Sequence, residues 1–359
     1  MMAKGVIVGA GRAGTHLHYG ALKAAGAEIA GFVEGNSKLL EETTKRFGLT
    51  KGFGSLDEAF AQCGKLDFVD ICSSTKSHFP LAKAAIENGC HVLIEKPITE
   101  NLDELEALRK IRQGTNLTIC AIHNHKYYPG IVELRRRLQA GEAGELLFVH
   151  REMSFIHDWV RMMEPEHWSH QLPGGRLFEA NPHNLYLLYG LLGEMDLIDI
   201  SARKTSSRWP HAKIDEFTAT LKSRTANATI HMSLNGESSA SSKHGPNFIL
   251  VVGSKKTLYA DYQRVVDLGT MDVTKLGSTG MLQKMREKTF SSTLKDLAGN
   301  PINVGKGSGH FWILERFIGF ITGRYKEEPV PFEEAFYVQR VNLEMGNRSA
   351  AKILSTVPA

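Results

Sequence analysis

The triplet Glu95-Lys96-Pro97 closes an apolar run, Cys90-His91-Val92-Leu93-Ile94, and lies well downstream of a glycine-rich stretch, Gly9-Ala10-Gly11-Arg12-Ala13-Gly14. If the run is a strand, Lys96 stands at its carboxyl end, where doubly wound sheets bind their ligands. A cation there can hold a hydroxyl or carbonyl oxygen while a hydride leaves or reaches the attached carbon. A Glu-Lys pair alone is usually a solvated surface pair. Its placement after a strand and after the glycine loop makes this one informative.

The glycine stretch fits G-x-G-x-x-G, with a strand expected before it and a helix after it, as a dinucleotide fingerprint requires. Gly9 allows the tight turn, Gly11 lets backbone approach a pyrophosphate, and Gly14 lets the helix pack on the strand. The helix start, with Arg12 and Ala13, offers N–H groups and a positive dipole end to phosphates. Glu34 ends the next strand. A carboxylate there accepts ribose hydroxyl protons and repels a 2′-phosphate, which favours NAD over NADP.

These residues need a scaffold of alternating strands and helices. Val6 to Val8, Ile29 to Val33, Phe68 to Cys72, Val92 to Ile94 and Leu117 to Ile122 read as strands. Arg12 to Ala25, Ser37 to Phe47 with Ser37 as cap, a helix capped by Ser77 and opened by Pro80, and Leu102 to Arg112 read as helices. Such alternation implies a parallel sheet with right-handed crossovers. After about residue 145 the pattern changes. Phe217, Ala219 and Leu221 alternate with Thr218 and Thr220, and Ile230, Met232 and Leu234 alternate with Thr229, His231 and Ser233. Period-two alternation means strands with one covered face, as in an antiparallel sheet. Helices are expected near Phe311 to Ile321 and Glu333 to Ile353. Residues 267–309 carry seven glycines and little periodicity, and read as a long excursion from an α+β domain.

Composition excludes several classes. The chain has 359 residues, 42% hydrophobic and 23% charged, with net charge +4. Arg135-Arg136-Arg137 is the longest basic run and reads as a solvated helix face, so no nucleic-acid footprint is present. No apolar stretch is long enough to span a bilayer, and no room for a targeting segment precedes the first strand, so a cytoplasmic protein is expected. Cys63, Cys72, Cys90 and Cys120 lack metal-ligand spacing and read as free thiols. His123, His125, His150, His157, His167 and His170 show no H-E-x-x-H or similar pattern, so no metal is expected.

The order of glycine loop, Cys72-Ser73-Ser74-Thr75-Lys76-Ser77-His78, Glu95-Lys96-Pro97, Asn124-His125-Lys126-Tyr127-Tyr128-Pro129, Gly141-Glu142-Ala143-Gly144-Glu145, and Gly174-Gly175 through His183 resembles the Gfo/Idh/MocA family over nearly the whole chain. The resemblance implies a Rossmann NAD-binding domain (1–125) and an α+β domain with an open, mainly antiparallel sheet (126–359). The second would bind substrate and form a homodimer or homotetramer. It also implies oxidation or reduction of a secondary alcohol on a sugar, glycoside or cyclitol, with no nucleic acid or membrane as partner. Some relatives instead hold NAD tightly and oxidise C3 of a glycoside only transiently. A non-catalytic NAD-binding regulator would not require Lys96, Glu179 and His183 together.

Carried over by position, Lys96 and His183 are the catalytic pair. Glu179 stands where most members have Asp, Tyr186 where an Asp is usual, and Lys126 where an Arg is common. Ser73, Ser74, Thr75, His78, Glu95 and Asn124 fall to the cofactor side, and Tyr127 to the substrate side. The residues themselves read Asn181-Pro182-His183 as cap and first turn of a helix to Leu192. The dipole there disfavours imidazolium, leaving His183 able to accept a proton. Glu179 then holds a substrate hydroxyl or stabilises the imidazolium that forms. Phe155 to Trp159 and His167 to His170 mix aromatic faces with polar donors, which suits a sugar ring. Trp168 and Arg176 are the chosen substrate contacts, with Glu179 an alternative partner for Arg176.

Overall fold

The computed structural model describes residues 2–154, 164–236, 246–269, 293–295, 301–303 and 309–354. Phe155 to Trp159 and most of the glycine-rich 267–309 stretch lie outside the described residues. The chain divides into two compact units. One comprises Met1–Asn124 and Gly307–Arg340, the other His125–Lys306 and Val341–Ala359. The first thus includes late sequence, Gly307–Arg340, that the sequence reading placed in the second domain.

In the first unit, β1 (Lys4–Val8), β2 (Glu28–Val33), β3 (Phe68–Ile71), β4 (His91–Ile94) and β5 (Ile119–Ala121) form one sheet in the order β2-β1-β3-β4-β5. All four ladders are parallel. Apolar runs such as Phe68-Val69 and Val92-Leu93-Ile94 are fully buried, as strands covered on both faces require. The helices are α1 (Tyr19–Ala24), α2 (Ser37–Arg46), α3 (Leu56–Cys63), α4 (His78–Glu87) and α5 (Leu102–Gln113).

Three local expectations are corrected. Asn36, not Ser37, caps α2, its Oδ1 accepting the Leu39 N–H at 3.0 Å. Asn and Ser cap about equally well, so composition did not separate two adjacent candidates. Ser77 makes no side-chain cap, and α4 starts at His78 rather than Pro80. The Ser77 hydroxyl donates back to the Ser74 carbonyl at 2.8 Å. The expected helix from Arg12 is not α-helical at its start. Ala13–His18 winds as a π-helix, and the Tyr19 N–H donates five residues back to Gly14.

The second unit holds α6 (Pro129–Gln139), α7 (Arg176–Ala180) and α8 (Pro182–Leu192). Its sheet comprises β6 (Leu146–Ser154), β7 (Met195–Arg203), β8 (Glu216–Ser223), β9 (Asn227–Ser233), β10 (Asn247–Gly253), β11 (Thr257–Ala260) and β12 (Val265–Gly269). The order is β12-β11-β10-β6-β9-β8-β7, with open ends. Every ladder is antiparallel except β6 with β9. Alternation holds as expected: Phe217, Ala219, Leu221, Ala228, Ile230 and Met232 are buried, while His150, Glu152 and His231 are half-buried. Of the triple arginine, Arg136 and Arg137 both pair with Glu133 in α6. Two late helices, α9 (Gly309–Ile321) and α10 (Phe332–Leu354), lie close to their expected bounds. All four cysteines are free, three of them buried. Among the described residues no helix is long and apolar enough to cross a membrane.

Candidate active site

The glycine loop connects β1 to the π-helical turn. Gly9 has φ +101, left-handed backbone that an L side chain resists, and its N–H donates to Val33 at 2.9 Å. A Cβ on Gly14 would lie 2.3 Å from the Gly9 carbonyl oxygen, so only glycine lets the helix start pack here. A Cβ on Gly11 would meet nothing within 4 Å, leaving that backbone open to approach. Glu34 faces the loop: its carboxylate accepts the Ala10 and Asn36 N–H groups, each at 3.0 Å.

The segment after β3 is held from within. Ser73 Oγ and Ser77 Oγ are 2.7 Å apart. His78 is buried, with Nδ1 at 2.9 Å from the Pro97 carbonyl and Nε2 at 3.0 Å from the Ser73 carbonyl. Burial lowers its pKa against the pull of those carbonyls, and the ring ties two loops together. The buried Thr75 hydroxyl has no hydrogen-bond partner among the described residues. A left-handed turn, an open glycine, a carboxylate at the end of β2 and an orphaned hydroxyl together fit a dinucleotide.

Lys96 follows β4 and is half-buried. Its backbone N–H donates to Glu95 Oε2 at 3.1 Å, and its peptide to Pro97 is cis. Glu95 Oε1 is 3.1 Å from His18 Nε2, and His18 Nδ1 lies 2.9 and 3.1 Å from the two oxygens of Asp70. His18 and Asp70 are fully buried. Burial opposes charge on His18, yet Asp70 and its hydrogen bond raise the ring's pKa well above 6.5. Burial likewise opposes ionised Glu95, but the His18 hydrogen bond and charge, with Lys96 and His310, bring it to about 2. Burial keeps the neighbouring Cys72 thiol protonated. His310, from α9, has Nε2 4.0 Å from Glu95 and Nδ1 3.2 Å from the Asn124 amide. Burial, then nearby cations, brings it to about 4, so it is neutral near pH 7.

In the second unit His183 is half-exposed on α8. Its Nδ1 is 2.7 Å from the Tyr186 hydroxyl, which also accepts the His125 N–H at 3.0 Å. The rings of His125 and His183 stack at 3.8 Å and 12°. His125 Nδ1 is 3.0 Å from the Tyr262 hydroxyl, which accepts from Arg151 at 3.2 Å. Arg151, fully buried, also donates to Asn184 Oδ1 and to the carbonyls of Glu152 and Phe248. Asn181 stands at the N-cap of α8 and Gly193 at its C-cap as expected, but Asn181 is helical (φ −59, ψ −27) and makes no side-chain cap hydrogen bond. Its amide instead donates to Asn342 Oδ1 at 3.0 Å. Pro182 and His183 thus open α8 as expected, without a side-chain cap. A phenol and a stacked imidazole flank the His183 ring.

Arg176 and Glu179 form a buried ion pair with each other, which settles which of the open partners Arg176 meets within the protein. Trp168 is half-buried with its ring 5.4 Å from that of His167, and Tyr127 is buried. His18, Asp70 and His310 escaped the sequence reading. One lies in a π-turn, one is an acid inside an apolar strand, and the third comes from distant sequence. The misfit of Asp70 in Phe-Val-Asp-Ile was the available signal, since a buried carboxylate demands a partner.

Residues 3–123 match the family model described as an oxidoreductase family with NAD-binding Rossmann fold, and residues 131–259 match the Gfo/Idh/MocA C-terminal domain. A D-xylose dehydrogenase of Paenarthrobacter nicotinovorans is 28% identical over 152 residues, which are 41% of this chain and 39% of that enzyme. The chain thus spans about two fifths of the length of the curated relatives it matches. An oxidoreductase of Agrobacterium radiobacter, solved with NAD+, L-tartaric acid and magnesium, superposes with TM-score 0.78 at 18% identity, covering 99% of this chain and 100% of that one. The WlbA dehydrogenase of Bordetella pertussis, solved with NADH and UDP-GlcNAcA, gives 0.76 at 17% identity, covering 98% and 96%. At these identities the two structures show the fold alone.

Proposed function

The chain belongs to the Gfo/Idh/MocA family of oxidoreductases, and from that premise we propose that it transfers a hydride between a secondary hydroxyl of a sugar, glycoside or cyclitol and NAD. The observation that carries this reading is Lys96, which follows β4 in the same parallel sheet as the glycine loop, its backbone N–H fixed by Glu95. Gly9, Gly11, Arg12, Ala13 and Gly14 would receive the pyrophosphate, Glu34 the ribose, and Ser73, Ser74, Thr75 and Asn124 the remainder. Bound NAD would supply the hydride acceptor. Lys96 holds the substrate oxygen, and His183 takes its proton in the oxidative direction. A proton transfer placed in this way contributes typically ~10²–10⁴-fold. Arg176 anchors Glu179 as a hydroxyl acceptor, and Tyr127 and Trp168 offer apolar faces to the ring. His78, both of whose nitrogens face carbonyls, supports the cofactor loops from behind.

The named relatives support a carbohydrate-like substrate: a D-xylose dehydrogenase, a UDP-sugar acid complex and a tartrate complex. The half-exposed face of the seven-stranded sheet, with Phe148, His150, Glu152 and Phe248, supports self-association as a dimer or tetramer.

The test is NADH formation with NAD and a panel of pentoses, inositols, glycosides and sugar nucleotides. One class should yield NADH, and Lys96→Ala should lose it about 10²-fold or more. A folded Lys96→Ala protein turning over at the wild-type rate would sink the assignment. Consumed glycoside without NADH would instead favour transient oxidation with retained cofactor. The NAD preference rests on Glu34, and a lower KM for NADP would overturn it.

A further inference from the structure

Asp70 stands in the middle of β3, fully buried between Val69 and Ile71. A carboxylate in that position needs a partner, and His18 is its partner. A neutral imidazole carries one N–H, yet both nitrogens of His18 lie within hydrogen-bond distance of carboxylate oxygens, Asp70 on one side and Glu95 on the other. Two acceptors facing two ring nitrogens require two N–H groups, so the ring is a cation. The π-helical winding of Ala13–His18 is what presents His18 to the sheet, and such turns recur at functional sites. Glu95 then uses its two oxygens differently: one accepts from His18, the other from the backbone N–H of Lys96.

We propose that His18 is a positioning residue, an imidazolium clamped between Asp70 and Glu95 that fixes Glu95 and through it the backbone from which Lys96 acts. The proposal rests on the reading of Lys96 as the residue that meets cofactor and substrate. The groups that face the clamp are Asp70 and Cys72 from β3, Glu95 and Lys96 after β4, His310 from α9, and Arg12 of the glycine loop. His310, with its ring 5.8 Å from His18, closes the side toward Asn124. Three donor atoms, one each from His18, Glu95 and His310, also lie within 4.8 Å of one another, a spacing a divalent metal would accept. The proton accounts for the two short contacts; the third donor stands farther off, at 4.0 Å from Glu95.

Two measurements on the full chain decide the matter. The first is ¹⁵N NMR of histidine-labelled protein between pH 5.5 and 9, with the His18 signal identified by its loss in His18→Gln. Both ring nitrogens should stay in the imidazolium range through neutrality. A His18 that titrates near the ordinary value would overturn the proposal, whether or not any sugar is turned over. The second is a double-variant cycle of His18→Gln and Glu95→Gln, read on NAD dissociation and on the pH profile of turnover. His18→Gln alone should cost about tenfold and create a new acid limb as Glu95 loses its counter-charge. In the Glu95→Gln background the same change should cost less than about twofold, because the two act as one unit. Losses that simply multiply would overturn the proposal. If His18→Gln does not fold, Asp70→Asn takes its place, keeping an acceptor for Nδ1–H while removing the charge. Stoichiometric divalent metal in the purified protein, lost in His310→Ala, would replace the clamp by a metal site. If NAD binding follows the cycle while no sugar yields NADH, the substrate reading fails and the clamp stands.

Discussion

Two histidines, His18 and His183, are held in opposite ways. His18 is fully buried with a carboxylate on each nitrogen, whereas His183 is half-exposed with a phenol on one nitrogen and an imidazole stacked on its face. A ring locked between two carboxylates keeps its proton through the working pH range and cannot pass it on. A ring whose partner is a hydroxyl, able to donate or accept, can exist in either protonation state. The first serves architecture and electrostatics; the second is equipped for proton transfer.

The widest expected separation comes from replacing each histidine by leucine. His18→Leu leaves Asp70 and Glu95 buried without their cation. Breaking a buried pair in this way costs about 3–5 kcal/mol. Denaturant unfolding should show that loss, or the variant should fail to fold. His183→Leu leaves no buried charge without a partner and should cost less, about 1–2 kcal/mol, while NADH formation falls about 10²–10⁴-fold. Equal destabilisation by the two changes would erase the distinction.

The pH dependence of stability is the next expected effect. The folded pKa of His18 lies well above 6.5, so its contribution is complete below 6.5 and is lost as pH climbs through the raised value. The folded pKa of Glu95 lies at about 2, below its ordinary 4.5, so its contribution is complete above 4.5 and is lost as pH falls toward 2. The clamp therefore stabilises most between 4.5 and 6.5. The Tm difference between wild type and His18→Gln should be largest in that window and shrink on either side. A difference that is flat from pH 4 to 9 would mean the ring is not charged.

How far each site was legible from sequence follows from the range of the interactions that build it. The glycine loop and Lys96 were legible because each motif is contiguous and its chemistry depends on backbone geometry set by neighbours. The parallel and mainly antiparallel sheets followed from period: buried apolar runs in β3 and β4, strict alternation in β8 and β9. The cap of α2 was missed by one residue, at Asn36, where two good cap formers are adjacent, while Asn181 holds the N-cap position of α8 without a side-chain bond. The His18 clamp was hidden because residues 18, 70, 95 and 310 meet only through tertiary folding. The π-turn also moves His18 off the register an α-helix would give it.

The smallest expected effect is the sharpest for His183. The family resemblance sets Tyr186 where an Asp is usual, which would put a neutral hydroxyl where a carboxylate would stabilise the imidazolium. Tyr186→Phe removes the bond to Nδ1 and strips the His125 N–H of that acceptor, while the ring volume is kept. Orientation loss of this kind should lower kcat about tenfold, or about 1.4 kcal/mol, with NAD affinity unchanged because the glycine loop is untouched. The companion change Tyr186→Asp should do the opposite to the proton equilibrium. A carboxylate on Nδ1 favours the charged ring, so the limb of the pH–rate profile assigned to His183 should move upward in pH. If Tyr186→Phe leaves kcat intact and Tyr186→Asp leaves the profile in place, His183 does not carry the proton. A phenol-held ring would then be packing, and the contrast with His18 would be one of charge alone.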